Sequence, residues 1–186
     1  MKYETDEQLT EKKVTSEIKF SGNLLTLYRD EVSLPNGSTS VREWVTHQGA
    51  AAMLPIFENE DVLLVRQFRY PLNQVFWEVP AGKIDSDEHA EATANRELME
   101  ETGLRGNGIQ ALGTMHPSIG YTNEVIYLYA LWDLEQFESQ TDHEEFLITR
   151  RLPMREAVDM VHDGKITDSK TALLLLKAWH WWKQRT

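Results

Sequence analysis

A mixed β-sheet sandwiched between helices, preceded by an N-terminal antiparallel strand extension, is the α/β (α+β) fold this sequence predicts. Three observations carry the prediction. The first half of the chain is written in short runs of β-formers separated by turn residues. A single Gly- and Pro-free stretch rich in Ala, Glu, Leu and Met interrupts them. Two further helical segments close the chain after more strands, which suits helices packed on a sheet. The 186 residues suit one domain with a small extension, and 41% hydrophobic residues are enough for a full core.

The elements read as follows. Residues 1–13 are charged, hold only Tyr3 and Leu9 as sizeable apolar residues and show no period, so they read as disordered. Ser16–Phe20 and Leu24–Ser33 alternate as strands, Pro35-Asn36-Gly37 is a turn signal, and Val41–His47 resumes the strand pattern. Ala50–Phe57 reads as a buried strand. With Asp61–Phe68, across the polar Glu58–Asp61, it reads as a hairpin. Val75–Val79 is a short strand ending at Pro80-Ala81-Gly82. Asp87–Thr102 is the helix, with Ser86 or Asp85 as its cap and Gly103 as its stop. Strands return at Ile109–Met115, Val125–Trp132 and Phe146–Arg151, and helices at Met154–His162 and Ser169–Lys183. In the last helix Ala172, Leu175, Leu176 and Trp179 form an apolar stripe, and Trp179, Trp181 and Trp182 read as core or interface anchors.

Composition excludes several functions. Without cysteine there is no disulfide, thiolate metal site or Cys nucleophile. Any metal must be held by oxygen or imidazole, and carboxylates favour Mg²⁺, with Mn²⁺ as a substitute. A net charge of −11 disfavours nucleic acid, whose phosphates need a basic surface. No apolar run is long enough for a membrane span or a signal peptide, so a soluble cytoplasmic protein is expected.

Gly82–Leu104, GKIDSDEHAEATANRELMEETGL, concentrates the chemistry. A glycine turns the backbone, and a helix follows with Glu97, Glu100 and Glu101 near its end. Spacings of three and four put these carboxylates on one face. Like charges so close repel unless a cation sits among them, although three glutamates alone also describe a solvated helix end. Arg96 stands ready to orient a neighbouring carboxylate.

With Gly82, Glu88, Arg96, Glu97, Leu98, Glu100, Glu101, Gly103 and Leu104 at their spacings, the segment resembles the Nudix box. The resemblance implies a metal-dependent pyrophosphohydrolase. It makes Glu97, Glu100 and Glu101 metal ligands and catalytic residues, joined by the carbonyl of Ala81. Gly82, Glu88, Arg96 and Gly103 then have a structural part in the box. Val65–Pro71, Trp77–Asp85, Pro117–Glu124 and Gly164–Thr171 resemble the branch that cleaves ADP-ribose and nucleoside diphosphate sugars. ADP-ribose enzymes carry a proline sixteen residues after the last glycine of the box. Here that position is Ile119, with Pro117 two residues earlier, so GDP-mannose and other nucleotide sugars join ADP-ribose as expected substrates. Other nucleoside diphosphate derivatives, or non-catalytic sensing of ADP-ribose, are the alternatives.

The branch also implies an assisting glutamate from a late loop. Glu144 and Glu145 are equal candidates, and His143 is a weaker one. Arg66 and Arg69 are substrate-binding candidates on opposite strand faces, and Arg69 is the one chosen as a phosphate or ribose contact, against a surface ion pair. Glu78 contacts substrate or pairs with an arginine, and Tyr121 stacks on a base or packs. The strands of residues 1–49 exceed what the catalytic domain, residues 50–186, needs. In this branch such strands build a homodimer, and an exposed sheet edge favours the same outcome.

Overall fold

The computed structural model describes residues 5–137 and 146–185, which form two compact units. One unit runs to His47 and takes in Ser118–Glu124. After a 3₁₀ turn at Asp6–Leu9, β1 (Lys12–Ser21), β2 (Thr26–Ser33) and β3 (Thr39–Thr46) make an antiparallel sheet in the order β1-β2-β3. Pro35-Asn36-Gly37 makes the turn the sequence announces: Gly37 adopts φ 84°, and its N–H donates to the Leu34 carbonyl at 2.9 Å. β1 starts before Ser16, so Lys12 and Lys13 belong to a strand despite their unpatterned sequence. Pairing with β2 supplies the hydrogen bonds that their side chains do not predict. Asp30 is buried beneath this sheet, accepting from Ser16 Oγ at 2.5 Å and Trp44 Nε1 at 2.9 Å.

The second unit holds two sheets and three helices. β4 (Ala50–Pro55), β7 (Ala81–Lys83), β8 (Leu104–Met115) and β9 (Ile126–Gln136) form a mixed sheet in the order β7-β4-β9-β8, with β4 and β9 parallel. β5 (Asp61–Arg69), β6 (Gln74–Glu78) and β10 (Ile148–Pro153) form an antiparallel sheet in the order β10-β5-β6. The expected β4–β5 hairpin therefore does not form. One bridge, Ile56 to Val62, and the Phe57 N–H bond to the Asp61 carbonyl at 2.8 Å mark where the chain crosses between sheets.

The reason lies in β4 itself, whose residues are buried on both faces. Ala51 and Met53 join Leu98, Leu104 and Leu131 in a core against α1 (Ala90–Thr102). Ala52 and Leu54 face Leu64, Leu128, Met154, Leu174 and Leu175, where α2 (Met154–His162) and α3 (Ser169–Trp182) pack. A strand apolar on both sides belongs in the middle of a covered sheet, not in an outer hairpin. The mixed sheet thus lies between helices.

Candidate active site

α1 begins at Ala90, three residues later than expected, because the chain first makes a turn. Asp87 takes φ 68°, and the Glu88 N–H donates to the Asp85 carbonyl at 3.1 Å. His89, not Ser86 or Asp85, stands at the N-cap, and its side chain makes no capping bond. At the other end Gly103 adopts φ 71° and its N–H donates to the Met99 carbonyl, the stop the sequence signals.

Arg96 organises the loop and the helix. Its Nε and Nη2 donate to Glu88 at 3.1 and 2.9 Å, and Nη2 also reaches the Lys83 carbonyl at 3.3 Å. Its Nη1 donates to Glu97 Oε1 at 2.8 Å and Glu100 Oε2 at 3.1 Å. The guanidinium, with a bond from Thr93 Oγ1, holds the Glu88 carboxyl down to about 2. Glu88 in turn, with Glu97, pushes the Arg96 pKa upward against its partial burial.

The three box glutamates share a face of α1, as their spacing requires. Glu97 lies against β7 so closely that a Cβ on Gly82 would stand 1.8 Å from its carboxyl carbon. The box glycine therefore makes room for a carboxylate as well as shaping the backbone. Glu101 is only 6% exposed, although a carboxylate is costly to bury. Among the described residues no three acidic or histidine side chains converge at ligating distance, and Arg96 supplies the positive charge between Glu97 and Glu100. The donor set is all carboxylate oxygen, with the backbone of Ala81 beside Gly82, and this chemistry fits a hard divalent cation.

A second cluster forms where β5 and β6 meet α3. Arg69 Nε and Nη2 donate to the two carboxylate oxygens of Glu78 at 2.8 and 2.7 Å. Glu78 is 1% exposed and also accepts from Lys170 Nζ. Lys170 donates to Asp168 Oδ2 at 2.9 Å, and Asp168 caps α3 through the Thr171 N–H at 3.0 Å. Thr171 Oγ1 donates to the same carboxylate at 2.5 Å and accepts from the Val79 N–H at 2.9 Å. Burial would raise the Glu78 pKa, but the bonds and charges of Arg69 and Lys170 outweigh it and hold the carboxyl ionised. The Arg69 pKa is raised chiefly by its bonds to Glu78, and the charge of Glu101 is among those that reach it. Lys170 and Asp168 were not singled out one by one in the sequence; their only signal was the Gly164–Thr171 resemblance.

The other candidates lie apart from this network. Arg66, three residues from Arg69, stacks its guanidinium 5.4 Å from the centre of the Trp77 ring. It lines a cleft of about 690 Å³ with Trp77, Arg150, Asp159 and Lys165, and none of Arg69, Glu78, Glu97, Glu100 or Glu101 lines it. Tyr121 is exposed in the Ser118–Glu124 segment, where its carbonyl accepts from the Val45 N–H at 2.8 Å. Glu144, Glu145 and His143 lie outside the described residues.

Known proteins resemble this arrangement along most of its length. The NUDIX domain model matches residues 46–179. An ADP-ribose pyrophosphatase of Bacillus subtilis is 36% identical over 166 residues, 88% of this chain and 90% of that protein. A methanol dehydrogenase activator of Bacillus methanolicus is 38% identical over 165 residues, 88% of this chain and 89% of that protein. A GDP-mannose pyrophosphatase of Yersinia enterocolitica is 34% identical over 137 residues, 68% of this chain and 71% of that protein. The crystal structure of an ADP compounds hydrolase superposes with a TM-score of 0.84 at 21% identity, covering 94% of this chain and 95% of that one, which shows the shared fold. With its box filled at every fixed position and the domain matched across 46–179, the chain belongs to the Nudix family.

Proposed function

We propose that this protein is a Nudix pyrophosphohydrolase that cleaves ADP-ribose or nucleoside diphosphate sugars into a nucleoside monophosphate and a sugar phosphate. The observation that carries the reading is the carboxylate face of α1, where Arg96 holds Glu97 and Glu100 and Glu97 packs against the box glycine Gly82. A diphosphate needs cations on one side and a water-activating centre on the other, and an acidic protein must place that positive charge locally. Relatives named as ADP-ribose and GDP-mannose pyrophosphatases support the substrate class.

Glu97, Glu100 and Glu101, with the Ala81 carbonyl, would hold a divalent cation, magnesium in preference and manganese as a substitute. When bound, such a cation neutralises the diphosphate and lowers the pKa of water. The chain's own residues do the rest. Arg96 aims Glu97 and Glu100 from behind, as partners of metal ligands commonly do. Arg69 offers its guanidinium to the diphosphate. Water adds to one phosphorus, and the bridging P–O bond breaks with its electron pair on the departing phosphate. Glu144 or Glu145 takes the proton from that water. The working form is a cytoplasmic homodimer built through β1–β3, a reading supported by Val14, Ile18 and Phe20 standing exposed along β1.

Phosphatase-coupled phosphate release tests the reading, with ADP-ribose, GDP-mannose, ADP-glucose, UDP-glucose, diadenosine polyphosphates and dATP as the panel. Turnover of the sugar diphosphates is expected with magnesium and lost with chelator. E101Q is expected to lower kcat by about a hundredfold or more, the size of losing one preorganised electrostatic group. No turnover of any compound, with tight ADP-ribose binding, would overturn it in favour of a sensor.

A further inference from the structure

Four charged side chains meet at the start of α3, and their connectivity is unequal. Asp168 spends one carboxylate oxygen on three local donors, Thr171 N, Thr171 Oγ1 and Lys170 Nζ, so it is chiefly a helix cap. Glu78 is more deeply buried and is held from both sides, by Nε and Nη2 of Arg69 and by Lys170. The Lys170 side chain is 11% exposed, whereas that of Arg69 is 43% exposed. One cation is therefore sealed inside while the other opens outward. Among the described residues Arg69 Nη1 makes no hydrogen bond, so a planar guanidinium gripped along one edge presents its other edge.

We propose that Lys170 is a positioning residue for diphosphate recognition: by offsetting the carboxylates of Glu78 and Asp168 from within, it leaves Arg69 locked in direction with its outward edge positive toward the substrate. The inference rests on the pyrophosphohydrolase reading for the identity of the anion. The four charges of the cluster cancel; without Lys170, Arg69 would stand alone against the two carboxylates of Glu78 and Asp168, and the cluster would turn net negative. The guanidinium would keep its place and lose its outward field. A helix staple alone needs only the Asp168–Thr171 contacts, which do not involve Glu78. The buried cation beneath Glu78 acts through Arg69 and touches neither substrate nor metal.

The test compares wild type, K170M, K170R and the double variant E78Q/K170M. For K170M, KM for ADP-ribose is expected to rise about tenfold, the weight of a charge-assisted contact, with kcat changed less than about threefold. Calorimetric affinity for ADP in the presence of chelator should weaken by the same factor. K170R should retain wild-type values. E78Q/K170M should recover ADP affinity, because removing one carboxylate charge along with the lysine restores the charge balance of the wild-type cluster. It also removes the buried unpaired charge demand, so it stays informative if K170M folds poorly. Unchanged KM and ADP affinity in K170M, with only a lower Tm, would overturn the proposal. So would a loss in kcat alone, or no recovery in the double variant. A wild-type enzyme that turns over nothing would sink the pyrophosphohydrolase reading, while the ADP titration would still report on Lys170.

Discussion

Arg96 gathers Glu88, Glu97 and Glu100 onto one guanidinium, and Glu88 shows how such a clamp registers in stability. The Glu88 carboxyl falls from an ordinary value of 4.5 to about 2. A carboxyl depressed in the folded state stabilises the protein fully above its unfolded pKa, and that contribution disappears as the pH falls toward the folded value. E88Q should therefore be less stable than wild type at pH 7, by about 1–2 kcal/mol for a charge-assisted bond at a partly exposed site. The gap should narrow between pH 4.5 and pH 2. Urea unfolding of both proteins across that range measures it. A difference that stays constant with pH would mean that packing, not charge, holds Glu88. At this same scale the sequence named Arg69 and Glu78 separately and left each with two readings. The fold joins them into one pair across β5 and β6, although Glu78 lies opposite Val65 and Arg69 opposite Gln74, so the arginine side chain reaches along the strand to its partner.

α1 is the element on which the site depends, and its two ends are written differently. The C-terminal stop at Gly103 is a local matter: φ 71° suits glycine and strains any other residue. Gly103→Ala is expected to cost about 1 kcal/mol, a fall in Tm of roughly 2–4 °C for a chain of this size. Thermal melts of the two proteins check it, and an unchanged Tm would show that the last turn relaxes freely. The N-terminal start, by contrast, lies at Ala90 and not at Asp87. Asp85 and Ser86 have the chemistry of caps. The loop holding Glu88 for Arg96 uses up the residues through His89, and helix propensity alone does not register a clamp eight residues downstream.

For the whole molecule, assembly turns on β1, exposed along its full length with Ile18 57% and Phe20 60% exposed. Apolar rows on an edge strand favour association. Light scattering of the wild-type protein is expected to report a dimer, and the double variant I18E/F20E a monomer. A wild-type monomer at tens of micromolar (roughly the range in which a standard interface is saturated) would sink the dimer. No helix among the described residues is long and apolar enough to cross a membrane.

What the sequence determined by itself was whatever is encoded within a dozen neighbouring residues. The period of α1, the left-handed stops at Gly37 and Gly103, the buried character of β4 and the carboxylate face of the box all follow from local spacing and backbone preference. Only the tertiary structure decided what depends on distant partners. It sent β4 and β5 into different sheets, because β4 needs apolar cover on both faces. It returned Ser118–Glu124 to the N-terminal unit. It brought Lys170 beneath Glu78 across ninety-two positions of sequence, where burial makes charge compensation obligatory. Hydrophobic pattern can announce that a strand is buried, but which charges must neutralise one another emerges only when packing excludes water from between them.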